Sequence, residues 1–136
     1  MDQTQDFFGQ IGIVGIACRF PGATTPQQFW ENLRSGTNSI SFFDEAELKE
    51  AGVPPEAIKH PDYVPAGGII KDADCFDAHF FGFSASEASL MDPQLRVFLE
   101  ESWHALEDAG YDPGRYPGRI GLFGGMSMST YIYRLS

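Results

Sequence analysis

Two short runs of this chain are almost continuously apolar, IGIVGIA at residues 11–17 and IGLFG at residues 120–124. A run without alternation is the pattern of a strand covered on both faces of a sheet, so both are predicted as buried strands. Gly12 and Gly15 weaken the first by propensity, but they let neighbouring backbone come close. Between the two runs lies DPQLRVFLEESWHALEDAG, residues 92–110, where apolar positions return every three or four residues. This periodicity predicts the helix around which the chain is organised, with Asp92 as N-cap, Pro93 in the first turn and Gly110 ending it in a left-handed conformation. Leu95, Phe98, Leu99, Ser102, Trp103, Leu106 and Ala109 fall on one face, and Arg96, Glu101, His104 and Asp108 fall away from it. Such a helix needs an apolar surface to lie on, and the two flanking runs are the candidates.

The remaining elements are shorter. After the loop CRFPGATT, Thr25 opens a helix with Pro26 at its first position and Gln28 at the capping-box position. Phe29, Trp30 and Leu33 form its apolar edge and Gly36 can end it. A helix following a buried strand suggests the first half of an α/β unit. Residues 44–51 predict a two-turn helix with Glu47 closing a capping box and Gly52 behind it. VPPEAIKHPDYVPAGG holds four prolines and cannot stay regular for long, so residues 37–68 read as an excursion from the sheet. A short strand is expected at residues 67–71. FDAHFFGF, residues 76–83, is too aromatic to be left in water, and Ser84 with Glu87 gives another capping box. YDPGRYPG is a turn-rich connector, and the tail GMSMSTYIYRLS is apolar and aromatic. Residues 1–10 read as a polar leader, too short and too weakly patterned for a coiled-coil docking segment, and residues 11–136 as one domain.

Composition narrows the function classes. Nineteen acidic against nine basic residues give a formal charge of −10 with no Lys/Arg cluster, which argues against nucleic acid and anionic membrane surfaces as partners. No apolar run reaches the length of a membrane span and no signal-peptide pattern opens the chain, so a cytoplasmic location is expected. An apolar fraction of 43% supports a packed core. With only Cys18 and Cys75, there is no disulfide framework and no paired-cysteine metal spacing.

The candidate chemical motifs are weak. Gly12 and Gly15 lie inside a strand pattern, and Gly121, Gly124 and Gly125 lack the Lys-Ser/Thr of a phosphate loop, so close packing accounts for them. GMSMS, residues 125–129, resembles a nucleophile elbow only until its last position, where Ser129 replaces glycine. His79 is expected to be buried and hydrogen-bonded within the aromatic cluster, and His104 to face solvent. His60 has no partner at metal spacing. Cys75 lies between Asp74 and Asp77, whose charges do not favour a thiolate, and Cys18 simply follows the first strand. Asp72, Asp74 and Asp77 lack the glycine and terminal glutamate of a calcium loop and read as a solvated acidic edge. From the residues alone this is an α/β piece with no self-contained active site.

The same residues resemble a known family. IGIVGIACRFPGATTPQQFWENLRSG resembles the opening of the ketosynthase domains of modular polyketide synthases. FDAHFFGFSASEASLMDPQLRVFLEESWHALEDAGYDP resembles their next signature block, and RIGLFGGMSMSTY the strand and turn after it. The middle, SISFFDEAELKEAGV and YVPAGGII, is similar to the variant found in hybrids of polyketide and nonribosomal peptide synthases. Leu95 departs from the polar residue usual at that place in the family.

The resemblance implies the N-terminal portion of the first half of a thiolase-like fold, an α/β architecture that works as a homodimer. It implies an acyl chain taken from the phosphopantetheine thiol of a carrier protein onto an active-site cysteine, and a decarboxylative condensation assisted by two histidines. The family's nucleophile sits in a motif like TACSS that follows the second strand. Cys18 and Cys75 do not match it, and His79 and His104 do not match the catalytic histidines. No catalytic, cofactor-binding or metal-binding residue is therefore expected in this chain, and no directly bound cofactor. Three readings stay open: part of a condensing enzyme, a non-catalytic docking or scaffold module in a megasynthase, or one piece of a split ketosynthase. The expected partners are the rest of the domain or a second copy, neighbouring modules and carrier proteins. Phe123, Met126, Met128, Tyr131 and Ile132 are expected to lack packing partners.

Overall fold

The computed structural model describes residues 11–129 and 131. The expectations for the leader and for Ile132 lie outside the described residues. The element order is α1 (Pro26–Ser35), β1 (Ile40–Phe42), α2 (Glu45–Glu50), α3 (Pro55–Ile58), β2 (Ala66–Gly68), α4 (Ala85–Leu90) and α5 (Pro93–Asp108).

The helix ends follow their local chemistry. Thr25 Oγ1 accepts from Gln28 N at 3.2 Å to open α1. The reciprocal bond goes one residue further back than expected, with Gln28 Oε1 accepting from Thr24 N at 2.9 Å. Gly36, at φ 67°, ends α1 in the left-handed region. Asp44 with Glu47 caps α2, and Ser84 with Glu87 caps α4, each pair bonded in both directions. The proline-rich stretch still forms one helical turn, α3, with Pro55 at its first position. Asp92 Oδ1 accepts from Gln94 N at 2.7 Å to open α5, and Gly110 follows it at φ 71°.

The sheet departs from expectation. β1 and β2 form a two-stranded antiparallel ladder, Ile40 opposite Gly68, Ser41 opposite Gly67 and Phe42 opposite Ala66. The strand expected at residues 67–71 thus begins at Ala66 and ends at Gly68, and its partner lies in the stretch read as an irregular excursion. The two apolar runs do not form buried strands. Residues 11–17 and 120–124 carry no ladder among the described residues, and Ile11 and Phe123 are 97% and 94% exposed. A strand's backbone groups need a neighbouring strand, and among the described residues none pairs with either run.

Among the described residues the buried positions are Ala23, Leu48, Ala88 and Arg96. Arg96, placed by periodicity on the polar side of α5, is only 8% exposed. Glu101, also expected to fall away, is half-buried against Arg19. The apolar edge of α1 is open, with Trp30 and Leu33 exposed, although Phe29 packs against Phe20 with tilted rings 4.4 Å apart between centroids. The aromatic cluster forms as read: Phe76 stacks on Phe81 at 5.1 Å, and Phe80 meets Trp103 edge-on at 4.9 Å. His79, expected inside that cluster, is exposed because the rings pack on one another and leave it outside.

Candidate functional site

Helix α5 is the shared support. At its C-terminal end the Asp108 carboxylate accepts from Ile16 N at 2.9 Å. Gly15 packs so closely there that an added Cβ would lie 2.7 Å from Ala109 N. In the middle, Arg19 meets Glu100 at 3.0 Å and Glu101 at 3.3 Å. Glu100 Oε2 makes no aligned hydrogen bond despite that approach, so this arm of the pair is Coulombic. The guanidinium fastens the loop at residues 18–23 to the helix. That loop is a tight turn in which Phe20 and Ala23 exchange backbone hydrogen bonds of 2.8 and 3.0 Å, with Gly22 at φ 74°.

At the N-terminal end, α5 receives the segment that follows the second apolar run. Ser129 Oγ donates to Asp92 Oδ2, and Ser127 N donates to Gln94 Oε1 at 3.2 Å. Tyr131 Oη donates to Ser89 O at 2.9 Å, and the Arg96 guanidinium lies 6.0 Å from the Tyr131 ring centroid. Tyr131 therefore has partners, contrary to expectation, whereas Phe123, Met126 and Met128 are exposed as expected. The Ser129 hydroxyl, then the Gln94 amide, hold the Asp92 carboxyl below its ordinary range.

Between these fasteners runs an apolar groove of about 720 Å³, lined on one side by Leu95, Val97 and Phe98 and on the other by Gly124, Gly125 and Met126. Leu95 thus adds to an apolar wall. A more polar hollow of about 460 Å³ holds Arg19, Lys71, Asp72, Cys75, Asp77 and Glu100.

The residues weighed for chemistry do not converge. Cys18 is half-buried, and desolvation, then the Glu101 charge, push its thiol up, so it stays protonated. Cys75 and His79 are exposed, and His104 is exposed with Nδ1 3.6 Å from Glu101. Asp72, Asp74 and Asp77 are exposed, and no three His, Cys, Asp or Glu among the described residues are placed to hold a metal. The anchoring of Ser127 and Ser129 went unread, because the sequence offered them only as a failed nucleophile elbow.

Comparison with known proteins decides the family. The profile described as "Beta-ketoacyl synthase, N-terminal domain" matches residues 9–136. The chain belongs to this family. Polyketide synthase PksN of Bacillus subtilis is 51% identical to it over 128 residues, 94% of this chain and 2% of that protein. A phenolphthiocerol/phthiocerol polyketide synthase of Mycobacterium tuberculosis is 48% identical over 122 residues, 90% of this chain and 8% of that protein. Among solved structures, ketosynthase twelve from the bacillaene polyketide synthase of Bacillus amyloliquefaciens superposes with a TM-score of 0.63 at 55% identity. The match covers 73% of this chain and 18% of that one. This member of the beta-ketoacyl synthase family therefore corresponds to the N-terminal part of a polyketide-synthase ketosynthase domain, with the thiolase-like fold of that class. It spans only a small part of the length of the relatives it matches. Among the described residues no helix is long and apolar enough to cross a membrane.

Proposed function

We propose that the chain supplies the N-terminal scaffold of a ketosynthase whose complete domain performs decarboxylative Claisen condensation of carrier-bound acyl thioesters. The observation that carries this is the 55% identity to a bacillaene ketosynthase over 73% of the chain, together with the order of its two signature blocks. In that reaction an acyl group passes from a carrier's phosphopantetheine thiol to a cysteine thiolate. A malonyl-type extender then loses carbon dioxide, and the carbanion attacks the new thioester and releases the thiol. The phosphopantetheine arm arrives with the carrier protein as part of the substrate. No side chain of residues 11–129 takes a catalytic role in this reading, and those residues fold the support on which the catalytic groups are mounted. The implied partners are the rest of the domain, carrier proteins and neighbouring modules, including those of hybrid synthases. The implied compartment is the cytoplasm.

The test supplies an acyl-carrier and a malonyl-carrier thioester to two samples, the complete ketosynthase domain and the 136-residue chain alone, with the elongated product read by mass spectrometry. Product from the complete domain and none from the chain alone is the expected result. Condensation by the chain alone would overturn it. An inert complete domain that is still required for assembly of its synthase would transfer the role to docking or scaffolding.

A further inference from the structure

Residues 117–129 make no backbone-to-backbone hydrogen bond among the described residues, so no ladder or helix sets their register. What holds their far end is a set of side chains from the junction of α4 and α5. The Asp92 carboxylate divides its two oxygens between Gln94 N, the helix cap, and the Ser129 hydroxyl. Gln94 Oε1 takes Ser127 N, and Ser129 Oγ in turn accepts from Tyr131 N at 3.3 Å. Ser89 O takes the Tyr131 hydroxyl, and Arg96 covers the ring. Gly124, Gly125 and Met126, immediately before these contacts, form one wall of the apolar groove along α5.

We propose that Asp92, Gln94, Ser129 and Tyr131 form a polar clasp that fixes the register of this segment on α5, with Ser129 and Tyr131 as positioning residues for the condensation. The second half of that statement rests on the function proposed above, and the first half does not. None of these side chains need touch substrate. Their effect is to hold one wall of the groove where a flexible segment would drift.

Ser129→Ala and Tyr131→Phe remove the two hydroxyls without disturbing the Asp92 cap. In the full 136-residue chain, hydrogen exchange read by mass spectrometry should show the two hydrogen-bonded amides of the segment, Ser127 N and Tyr131 N, exchanging faster in the double variant. The expected acceleration is on the order of ten-fold, with α5 unchanged and Ser129→Thr matching the parent. Unchanged exchange in the segment, acceleration spread through α5, or failure of threonine to rescue would each overturn the clasp. In the complete domain the double variant should lose kcat while keeping KM for the acyl carrier, and Ser129→Thr should restore kcat. A parent domain that makes no product while the exchange result holds defeats the function reading and leaves the clasp standing. A condensing parent whose double variant keeps its kcat defeats the positioning role.

Discussion

Gly15 and Gly12 sit three residues apart in the same apolar run, yet a methyl group means different things at each. At Gly15 a Cβ would run into the Ala105 carbonyl oxygen and lie 2.7 Å from Ala109 N, backbone atoms of a helix that cannot step aside. Gly15→Ala should therefore destabilise the chain by roughly 1–3 kcal/mol, the usual range for overpacking. At Gly12 nothing lies within 4 Å, so Gly12→Ala should be neutral or slightly stabilising through the unfolded state. Gly124→Ala falls between them, since the Phe98 ring that a Cβ would meet at 2.8 Å can turn. Urea midpoints of the three variants check the order. Arg19 makes a second residue-scale test, because its side chain and those of Glu100 and Glu101 are each less than one-fifth exposed. Arg19→Met strands two neighbouring carboxylates and should cost roughly 1–3 kcal/mol, between an exposed pair and a fully buried one. The same urea series, with Glu100→Gln added, should show partial recovery if the stranded charge is the cause.

The short helices are held by their caps, and one cap is sensitive to acid. Glu87 accepts from both the backbone N–H and the hydroxyl of Ser84, and these bonds lower its pKa from the ordinary 4.5. A depressed carboxyl contributes stability that is fully present above its unfolded value and is lost as pH falls through the lower folded one. Protection of the Ala85–Leu90 amides, their exchange rate judged against the intrinsic rate at the same pH, should therefore fall below about pH 4.5, and Glu87→Gln should remove that pH dependence. Acid-independent protection in the parent would mean the cap does not govern α4. Caps of this kind were readable in the sequence because they are local: Thr25, Asp44, Ser84, Asp92, Gly36, Gly52 and Gly110 each act within about one helical turn. The β1–β2 ladder was not, because three-residue strands separated by α2 and α3 are chosen by what they meet. Periodicity places Arg96 at an angle around α5, but it does not say which side the Asp74 carbonyl and the Tyr131 ring will cover. The clasp was hidden for the same reason, since its partners Asp92 and Ser129 are 37 residues apart.

For the whole molecule, the open surfaces dominate. Ile11, Ile13, Phe123 and Met128 are almost fully exposed, and Trp30, Leu33 and Phe42 are well exposed on other elements. Apolar surface on this scale seeks cover. Light scattering after size exclusion should find the 136-residue chain above its monomer mass of 15.0 kDa, with a broad thermal transition. A monomer with a sharp, cooperative transition would mean these surfaces pack against one another in solution. The family of this chain was legible from contiguous blocks of sequence, while its packing depends on meetings between distant segments. The Asp108 carboxylate and Ile16 N, 92 residues apart, are one such pair. At about 5–20 residues per second of synthesis, the first apolar run emerges from the ribosome on the order of 5–20 s before the helix that receives it. During that interval a nascent chain has its stickiest segment out and nowhere to put it, which makes residues 11–17 the natural place for a chaperone to take hold.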